Sequence, residues 1–137
     1  MVEERSATLS LKIDKKKLKG VARKFKLDLI ILFGSMARHQ QKKSSDLDLA
    51  VRTEAKDRSF EWEFGLIKSL VESLDEANLD LIILNEADSL LLFEIASEGV
   101  PLYEKEEGLF VDFQVYAVKR NNDAQKFYRL EEEYILS

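Results

Sequence analysis

The chain has 137 residues, of which 45% are hydrophobic and 34% are charged, with one Pro and five Gly; this size and composition are typical of one packed domain. It has no Cys and one His, which excludes disulfides and thiolate metal sites and leaves carboxylates as candidate ligands for a hard metal ion. No apolar run approaches the roughly 20 residues that span a bilayer, and the N-terminus lacks a signal-peptide block, so we expect a cytoplasmic protein without membrane contact.

The first elements in chain order are predicted to be a strand, a basic helix and a buried strand. Residues alternate between apolar and polar from Leu9 to Ile13, as in a short strand. Asp14 is placed to cap a helix whose apolar residues recur at helical spacing. The dense apolar run from Leu27 to Phe33 indicates a central strand that ends in a turn, and a short helix is expected to open at Ser35.

The middle of the chain continues the alternation of strands and helices. Asp46 to Arg52 alternates in the manner of a second strand, and Lys56 to Leu74 keeps helical spacing. A third strand is predicted from Leu79 to Leu84. A helix from Ser89 to Ser97 follows, closed by a Gly and a Pro.

The C-terminal tail starts at Leu109 and carries aromatic residues at near-helical spacing. Asn121-Asn122-Asp123 interrupts the pattern, so we predict two helices or one broken helix. The tail has more aromatic surface than a small domain buries alone, so part of it is expected to meet a partner or a second copy in a homo-oligomer. No linker or repeat divides the chain, and residues 1–137 are therefore expected to form a single domain.

Charge is distributed unevenly along the chain. The net charge is −5, yet eight of the 21 Lys and Arg residues lie between Lys12 and Lys26. The overall acidity argues against a general nucleic-acid binder, and no stacking aromatics interleave with the basic residues. We interpret this cluster as a solvated helix face able to guide an acidic partner, and we expect no stable nucleic-acid binding.

Three aspartates lie inside strand patterns, where Asp is disfavoured. Asp46 and Asp48 are two residues apart, so both leave one face of the second strand, and Asp80 joins them if the third strand lies alongside. Carboxylates gathered in a partly buried site need a compensating cation. Oxygen ligands favour Mg²⁺ or Mn²⁺, and two such ions stabilise the entering and leaving oxygens of an in-line phosphoryl displacement.

A Gly-Ser pair follows the first buried strand. Gly34 lets the backbone approach a phosphate, and unpaired N–H groups at the start of the next helix bind anions. The Ser35 hydroxyl adds a donor, and Arg38, one turn further on, has a planar fork of donors suited to phosphate. Alone such a pair is more often an ordinary turn, but together with the aspartates it indicates a triphosphate cradle beside a metal site.

The spacing of these motifs resembles that of a known family. Gly34-Ser35, ten intervening residues and Asp46-x-Asp48 are similar to the signature of the minimal branch of the DNA polymerase β-like nucleotidyltransferase superfamily. The similarity extends over residues 10–104, which we take as the catalytic core, and leaves a helical tail at 107–137. His39 stands where the family commonly has Gly, a departure that removes no ligand.

The resemblance implies an α+β, polymerase β-like fold: a mixed sheet of three to four strands, with helices packed on one face and the active site at the open edge of the sheet. It also implies that Gly34 and Ser35 hold the triphosphate, and that Arg38 binds the nucleotide beside them. Asp46 and Asp48 would then bind two Mg²⁺ ions. Asp80 would bind one of these ions and act as the catalytic base.

Members of this branch that stand alone resemble antitoxins of HEPN-domain RNase toxins. The resemblance therefore implies transfer of AMP from ATP to a tyrosine of a cognate HEPN toxin, by a type VII-like antitoxin. Two alternatives stay open: nucleotidyl transfer to a small hydroxylated molecule such as an aminoglycoside, and a non-catalytic module that masks a toxin surface. The short chain argues against the first alternative, and three costly aspartates argue against the second.

Overall fold

The computed structural model describes residues 13–34, 47–76 and 78–136. In these ranges the elements are, in chain order, α1 (Lys15–Lys24), β1 (Leu27–Phe33), β2 (Leu47–Thr53), α2 (Phe60–Leu74), β3 (Leu79–Ile83), a 3-10 turn (Leu84–Glu86), α3 (Ser89–Glu98), β4 (Val100–Glu104) and α4 (Leu109–Leu136). The helix predicted to open at Ser35 lies outside these ranges, as does the strand predicted from Leu9, apart from Ile13.

Side-chain caps fix the starts of the first two helices. Asp14 accepts hydrogen bonds from the backbone N–H groups of Lys16 and Lys17 at 3.0 and 3.3 Å, so it caps α1 as predicted. The Ser59 hydroxyl accepts from the backbone N–H of Trp62 at 3.3 Å. This cap starts α2 at Phe60, a few residues later than the pattern predicts.

The strands within the described ranges form one mixed, four-stranded sheet in the order β3-β2-β1-β4. β1 pairs antiparallel with both β2 and β4, and β2 pairs parallel with β3. The predicted α+β class and mixed sheet are confirmed. The order puts β1 and β2 in the centre and leaves β3, the strand that carries Asp80, at an edge.

Helices cover both faces of this sheet, so the prediction that they pack on one face is wrong. In β1, Ile30 and Leu32 belong to the core beneath α1 and α2, whereas Leu29 and Ile31 belong to the core beneath α3 and α4. Successive side chains of a strand leave opposite faces, and all four of these are fully buried. A strand that is apolar on both sides needs a helical layer on each side.

The tail is one continuous helix of 28 residues, so the predicted break at Asn121-Asn122-Asp123 is wrong. Phe110, Phe113, Ala117 and Asn121 are all buried, and their spacing of three or four residues keeps one face of α4 on the domain past the predicted break. The low helix propensity of Asn costs only about 0.5 kcal/mol relative to Ala, too little to interrupt this packing. No helix in the described part of the chain is long and apolar enough to cross a membrane.

β4 is absent from the predicted elements, because Gly99 and Pro101 are interpreted there only as the end of a helix. In the structure Pro101 is the register partner of Ile31 on β1. β4 pairs on one side only within the described residues. An edge strand accommodates Pro, since no second ladder needs its missing N–H.

Candidate active site

Asp48 and Asp80 lie side by side on neighbouring strands. In the parallel pairing of β2 with β3, the Cα of Asp48 is the register partner of the Cα of Asp80. Register partners on adjacent strands are about 4.8 Å apart and face the same side of the sheet. Asp48 is half-buried and Asp80 is exposed. The structure therefore brings these two predicted site residues together where the sheet is partly open.

Apolar neighbours decide which face of β2 carries Asp48. Leu47, Leu49 and Val51 all belong to the core beneath α1 and α2. The intervening residues Asp48 and Ala50 must face the other side, and Ala50 is buried in the core beneath α3 and α4. The aspartate thus continues an otherwise apolar stripe at the beginning of the strand.

Hydrogen bonds at both ends of the β2–β3 pair hold its register. At one end the Leu47 N–H donates to the Asn78 carbonyl at 2.8 Å. At the other end the Asn85 side chain accepts from the Thr53 N–H at 3.1 Å and donates to the Thr53 carbonyl at 2.9 Å. This matters for the site, because a slip of one residue would turn Asp48 to the opposite face of the sheet.

Gly34 follows β1 and lies against Asp48. Phe33 is the register partner of Asp48, and the backbone then turns through Gly34 with a φ of 78°. A Cβ atom at Gly34 would collide with Asp48 Oδ2 and come within 3.0 Å of Asp48 Cγ. The Asp48 carboxylate occupies the space that any other residue's side chain would fill, and the left-handed φ itself favours Gly.

Three further predicted site residues, Ser35, Arg38 and Asp46, lie outside the described residues, and their roles stay predictions. In the part of the chain that the structure describes, no group of three or more His, Asp or Glu side chains is arranged to hold a metal ion. The described portion of the predicted constellation is the pair Asp48 and Asp80 together with Gly34.

The chemistry of this pair suits a hard divalent cation. Asp48 and Asp80 offer carboxylate oxygens, which are the ligands of Mg²⁺ and Mn²⁺ rather than of metals that prefer thiolates or imidazoles. Neighbouring carboxylates repel each other, and a cation between them removes that repulsion. Since Gly34 lacks the Cβ that would displace the Asp48 carboxylate, the backbone here is compatible with an aspartate held ready as a ligand.

Two features of the site are not predicted by the sequence. Gly34 is predicted to serve phosphate binding, whereas its contact with the Asp48 carboxylate is seen only in the structure. The bond pair between Asn85 and Thr53 is likewise new. Neither has a local sequence signal, because each joins segments that strand pairing brings together.

A family model described as "Polymerase beta, Nucleotidyltransferase" matches residues 16–108, the segment that contains Gly34, Asp48 and Asp80. A protein adenylyltransferase, MntA from Shewanella oneidensis, is 34% identical to the chain over 95 residues. The aligned segment covers 69% of this chain and 63% of that relative. The chain therefore matches less than two thirds of the relative's length.

Two solved structures resemble the chain in fold. The crystal structure of a toxin–antitoxin with AMP-PNP has a TM-score of 0.70 and 24% identity, covering 91% of this chain and 100% of that one. The tri-AMPylated Shewanella oneidensis HEPN toxin in complex with MNT antitoxin gives a TM-score of 0.63 and 22% identity, covering 90% and 96% of the two chains. Because the family model matches most of the sequence, the chain belongs to the polymerase beta nucleotidyltransferase family.

Proposed function

We propose that the protein transfers AMP from ATP to a tyrosine hydroxyl of a HEPN-type RNase toxin and so acts as its antitoxin. The observation that carries this proposal is the register pairing of Asp48 with Asp80 beside Gly34. That arrangement provides two adjacent carboxylates at an exposed sheet edge, as nucleotidyl transfer requires. A binding module alone has no use for such a pair, whose mutual repulsion costs stability.

The comparisons support the choice of nucleotide and acceptor. The Shewanella relative is a protein adenylyltransferase. The solved structures of similar fold include one with AMP-PNP and one with a tri-AMPylated HEPN toxin. These descriptions concern those proteins, and we extend them to this chain because it resembles the relative in sequence and the solved structures in fold, and because it has the acidic pair at the expected site.

We assign the site residues as follows. Asp46, Asp48 and Asp80 would hold Mg²⁺, or Mn²⁺ in its place. Gly34 and Ser35 would hold the triphosphate, with Arg38 nearby. Bound Mg²⁺ supplies electrostatic stabilisation of the charge that develops on the phosphoryl oxygens.

Asp80 is suited to receive the acceptor. It lies on the edge strand β3 and is exposed, so a residue of another protein can reach it. Its carboxylate would take the proton of the tyrosine hydroxyl as the phenolic oxygen bonds to the α-phosphorus of ATP. The bond from that phosphorus to the bridging oxygen breaks, and pyrophosphate leaves with the electron pair.

We also propose that residues 1–137 form one unit, with a catalytic core at 10–104 and a helical tail at 107–137. The packing of α4 supports this proposal, because Phe110, Phe113 and Ala117 share a buried core with Ala50 of β2. A cytoplasmic location stays a prediction.

The test mixes the protein with a HEPN toxin encoded beside it, ATP and Mg²⁺, and reads the intact mass of the toxin. Addition of one or more adenylates at a tyrosine is expected. Asp48→Asn should lower the rate by about 100- to 1,000-fold, as removal of one electrostatic contributor does elsewhere. Asp80→Asn should lower it at least about 100-fold, as loss of a general base does.

Asp57→Asn is the matched control, because it makes the same chemical change at an exposed position of the loop between β2 and α2, away from both the site and the tail. It should transfer AMP at the wild-type rate. Wild-type transfer by a folded Asp48→Asn protein would refute the assignment of the site. A toxin that is bound and inhibited yet unmodified would favour the masking module, and no binding at all would favour a small hydroxylated acceptor.

A further inference from the structure

A cavity lies at the opposite end of the sheet from Gly34. Its volume is about 480 Å³, and it lies between the end of α1, the start of β1 and the ends of β2 and β4. We call it the basic cavity; its polar lining residues are Lys19, Arg23, Lys26, Glu54, Tyr103 and Lys105. Four of these six carry positive charge and one carries negative charge.

The single acid in this lining is already paired. Lys105 Nζ lies 3.0 Å from Glu54 Oε1, and this hydrogen bond together with the charge of Glu54 raises the pKa of Lys105. Lys19, Arg23 and Lys26 form no salt bridge with another described residue. The basic cavity therefore holds three cations that its own lining does not neutralise.

The rest of the molecule accentuates this charge. Residues 14–26 contain seven Lys or Arg and one Asp, a net of +6, in a chain whose total is −5, so the remainder carries −11. Like charges repel a polyanion from most of the surface and leave the α1 side as the attractive one. A negatively charged ligand is thereby directed to the basic cavity.

Lys26 is held in a conformation that ordinarily belongs to Gly. Its φ is 57°, in the left-handed region, at the position after a helix where Gly is preferred. The Lys26 carbonyl accepts from the Glu54 N–H at 2.9 Å and lies 3.0 Å from the Thr53 hydroxyl, so the surrounding structure enforces this geometry. Lys26 thereby places a third positive charge at the end of α1, in a backbone position that Gly would adopt without strain.

We propose that the basic cavity binds a phosphate-bearing ligand, separately from the nucleotide site proposed at Asp48 and Asp80. Lys19 and Arg23 are at i and i+4 of α1, so their side chains leave one side of the helix, about 6 Å apart along its axis at 1.5 Å per residue. Lys26 lies just beyond the end of the helix and lines the same cavity, so it lengthens this row of cations. Such a row matches successive phosphates of a polyphosphate or of a single nucleic-acid strand, and the cavity volume is within the range of ligand sites. A nucleic-acid strand would be held here through its phosphates alone, in a salt-sensitive manner, which differs from the stable nucleic-acid binding that the sequence argues against.

The experiment measures fluorescence anisotropy of a labelled oligouridylate of about 12 nucleotides, a length suited to one small domain. EDTA in the buffer removes divalent metals, so the proposed metal site does not contribute. The double variant Lys19→Gln, Arg23→Gln should weaken binding by about 2- to 30-fold, the sum of two ion pairs at a surface. It should also reduce the slope of log K against log salt by about 1.4, at about 0.7 per phosphate contact.

The matched control is Lys17→Gln, Lys24→Gln, which removes the same charge from the same helix at exposed positions outside the cavity lining. Its binding should change less than about twofold. Lys26→Gly should weaken binding while the Tm stays equal or rises, because Gly relieves the left-handed strain. That combination separates a ligand-binding role from a structural one, and AMP transfer should be unchanged in all three variants.

Competition identifies the source of the phosphate. If inorganic tripolyphosphate displaces the probe, the proposal is supported and the ligand is a free polyphosphate. If only unlabelled oligonucleotide displaces it, the proposal is supported and the ligand is a nucleic-acid strand. Three results would overturn the proposal. The first is an equal loss of affinity for the probe in the two double variants. The second is displacement of the probe by a polyglutamate peptide as effectively as by the phosphate compounds. The third is no binding of any phosphate probe by the wild-type protein.

Discussion

Gly34 offers the sharpest test of the proposed site, because a single methyl group there would act on one carboxylate. In Gly34→Ala the new Cβ would overlap Asp48 Oδ2 and lie 3.0 Å from Asp48 Cγ. Either the turn after β1 or the Asp48 side chain must move to accommodate it. The variant therefore displaces a proposed metal ligand without removing its charge.

The size of the effect follows from two terms. A left-handed φ costs a residue with a Cβ about 1–2 kcal/mol, and an overpacked position adds about 1–3 kcal/mol. Their sum is smaller than the free energy of unfolding of a typical domain, which is about 5–15 kcal/mol. The variant should therefore fold, with a lowered Tm. The Asp48 carboxylate must shift by about 1 Å to regain ordinary contact, and a misplacement of that size costs about 100-fold in rate.

Gly108→Ala is the control for backbone strain. Gly108 has a φ of 95°, yet a Cβ there would meet no atom within 4 Å. The two variants should therefore both lose stability, whereas only Gly34→Ala should lose AMP transfer. The assays are a thermal melt and label incorporation from α-labelled ATP into the toxin. If both variants kept the wild-type rate, the contact between Gly34 and Asp48 would be irrelevant to the chemistry.

Other predictions concern the scaffold. Gly20→Ala should stabilise the protein by about 0.5–1 kcal/mol in urea unfolding, because Gly20 is inside α1 and its Cβ would meet nothing within 4 Å; no gain would mean that α1 contributes little to global stability. Phe113→Ala should cost about 3–5 kcal/mol, since this ring is 1% exposed, and a loss below about 1 kcal/mol would contradict the packing of α4. Glu54→Gln should lower the pKa of Lys105 in an NMR titration, because the hydrogen bond to Glu54 and its charge raise that pKa. A pKa that folding raises stabilises the protein at pH values below the unfolded pKa. The stability difference between wild type and Glu54→Gln should therefore disappear as pH rises through the folded pKa of Lys105. An unchanged titration of Lys105 would show that the pair does not form.

Much of the fold follows from local patterns. The apolar run from Leu27 to Phe33 forms β1 over the predicted residues, because its length and composition leave no alternative to a central strand. The alternation around Asp48 forms β2. The class of the fold and the order of its principal elements are therefore encoded in hydrophobic spacing.

What local patterns do not reveal depends on partners distant in sequence. β4 is a strand because Val100 and Pro101 pair with Leu32 and Ile31 of β1, and a Gly-x-Pro segment gives no sign of that pairing. The second helical layer is another case. The prediction that helices cover only one face of the sheet is wrong. The sequence of β1 already contains the contrary signal, because a strand that is apolar on both sides requires burial of both faces.

The relation between Asp48 and Asp80 shows how far sequence reasoning reaches toward the site. The spacing along each strand places each aspartate on a face, but bringing the two side by side requires β3 to lie parallel to β2 in one particular register. That register is tied at both ends of the strand pair: by the backbone hydrogen bond from Leu47 to Asn78 beside the aspartates, and by Asn85 and Thr53 at the end of β2 away from them. Some of the residues that position the carboxylates thus lie far from the proposed chemistry. Substitutions at Asn85 would therefore reach the site through strand alignment, whereas substitutions at Gly34 reach it by direct contact.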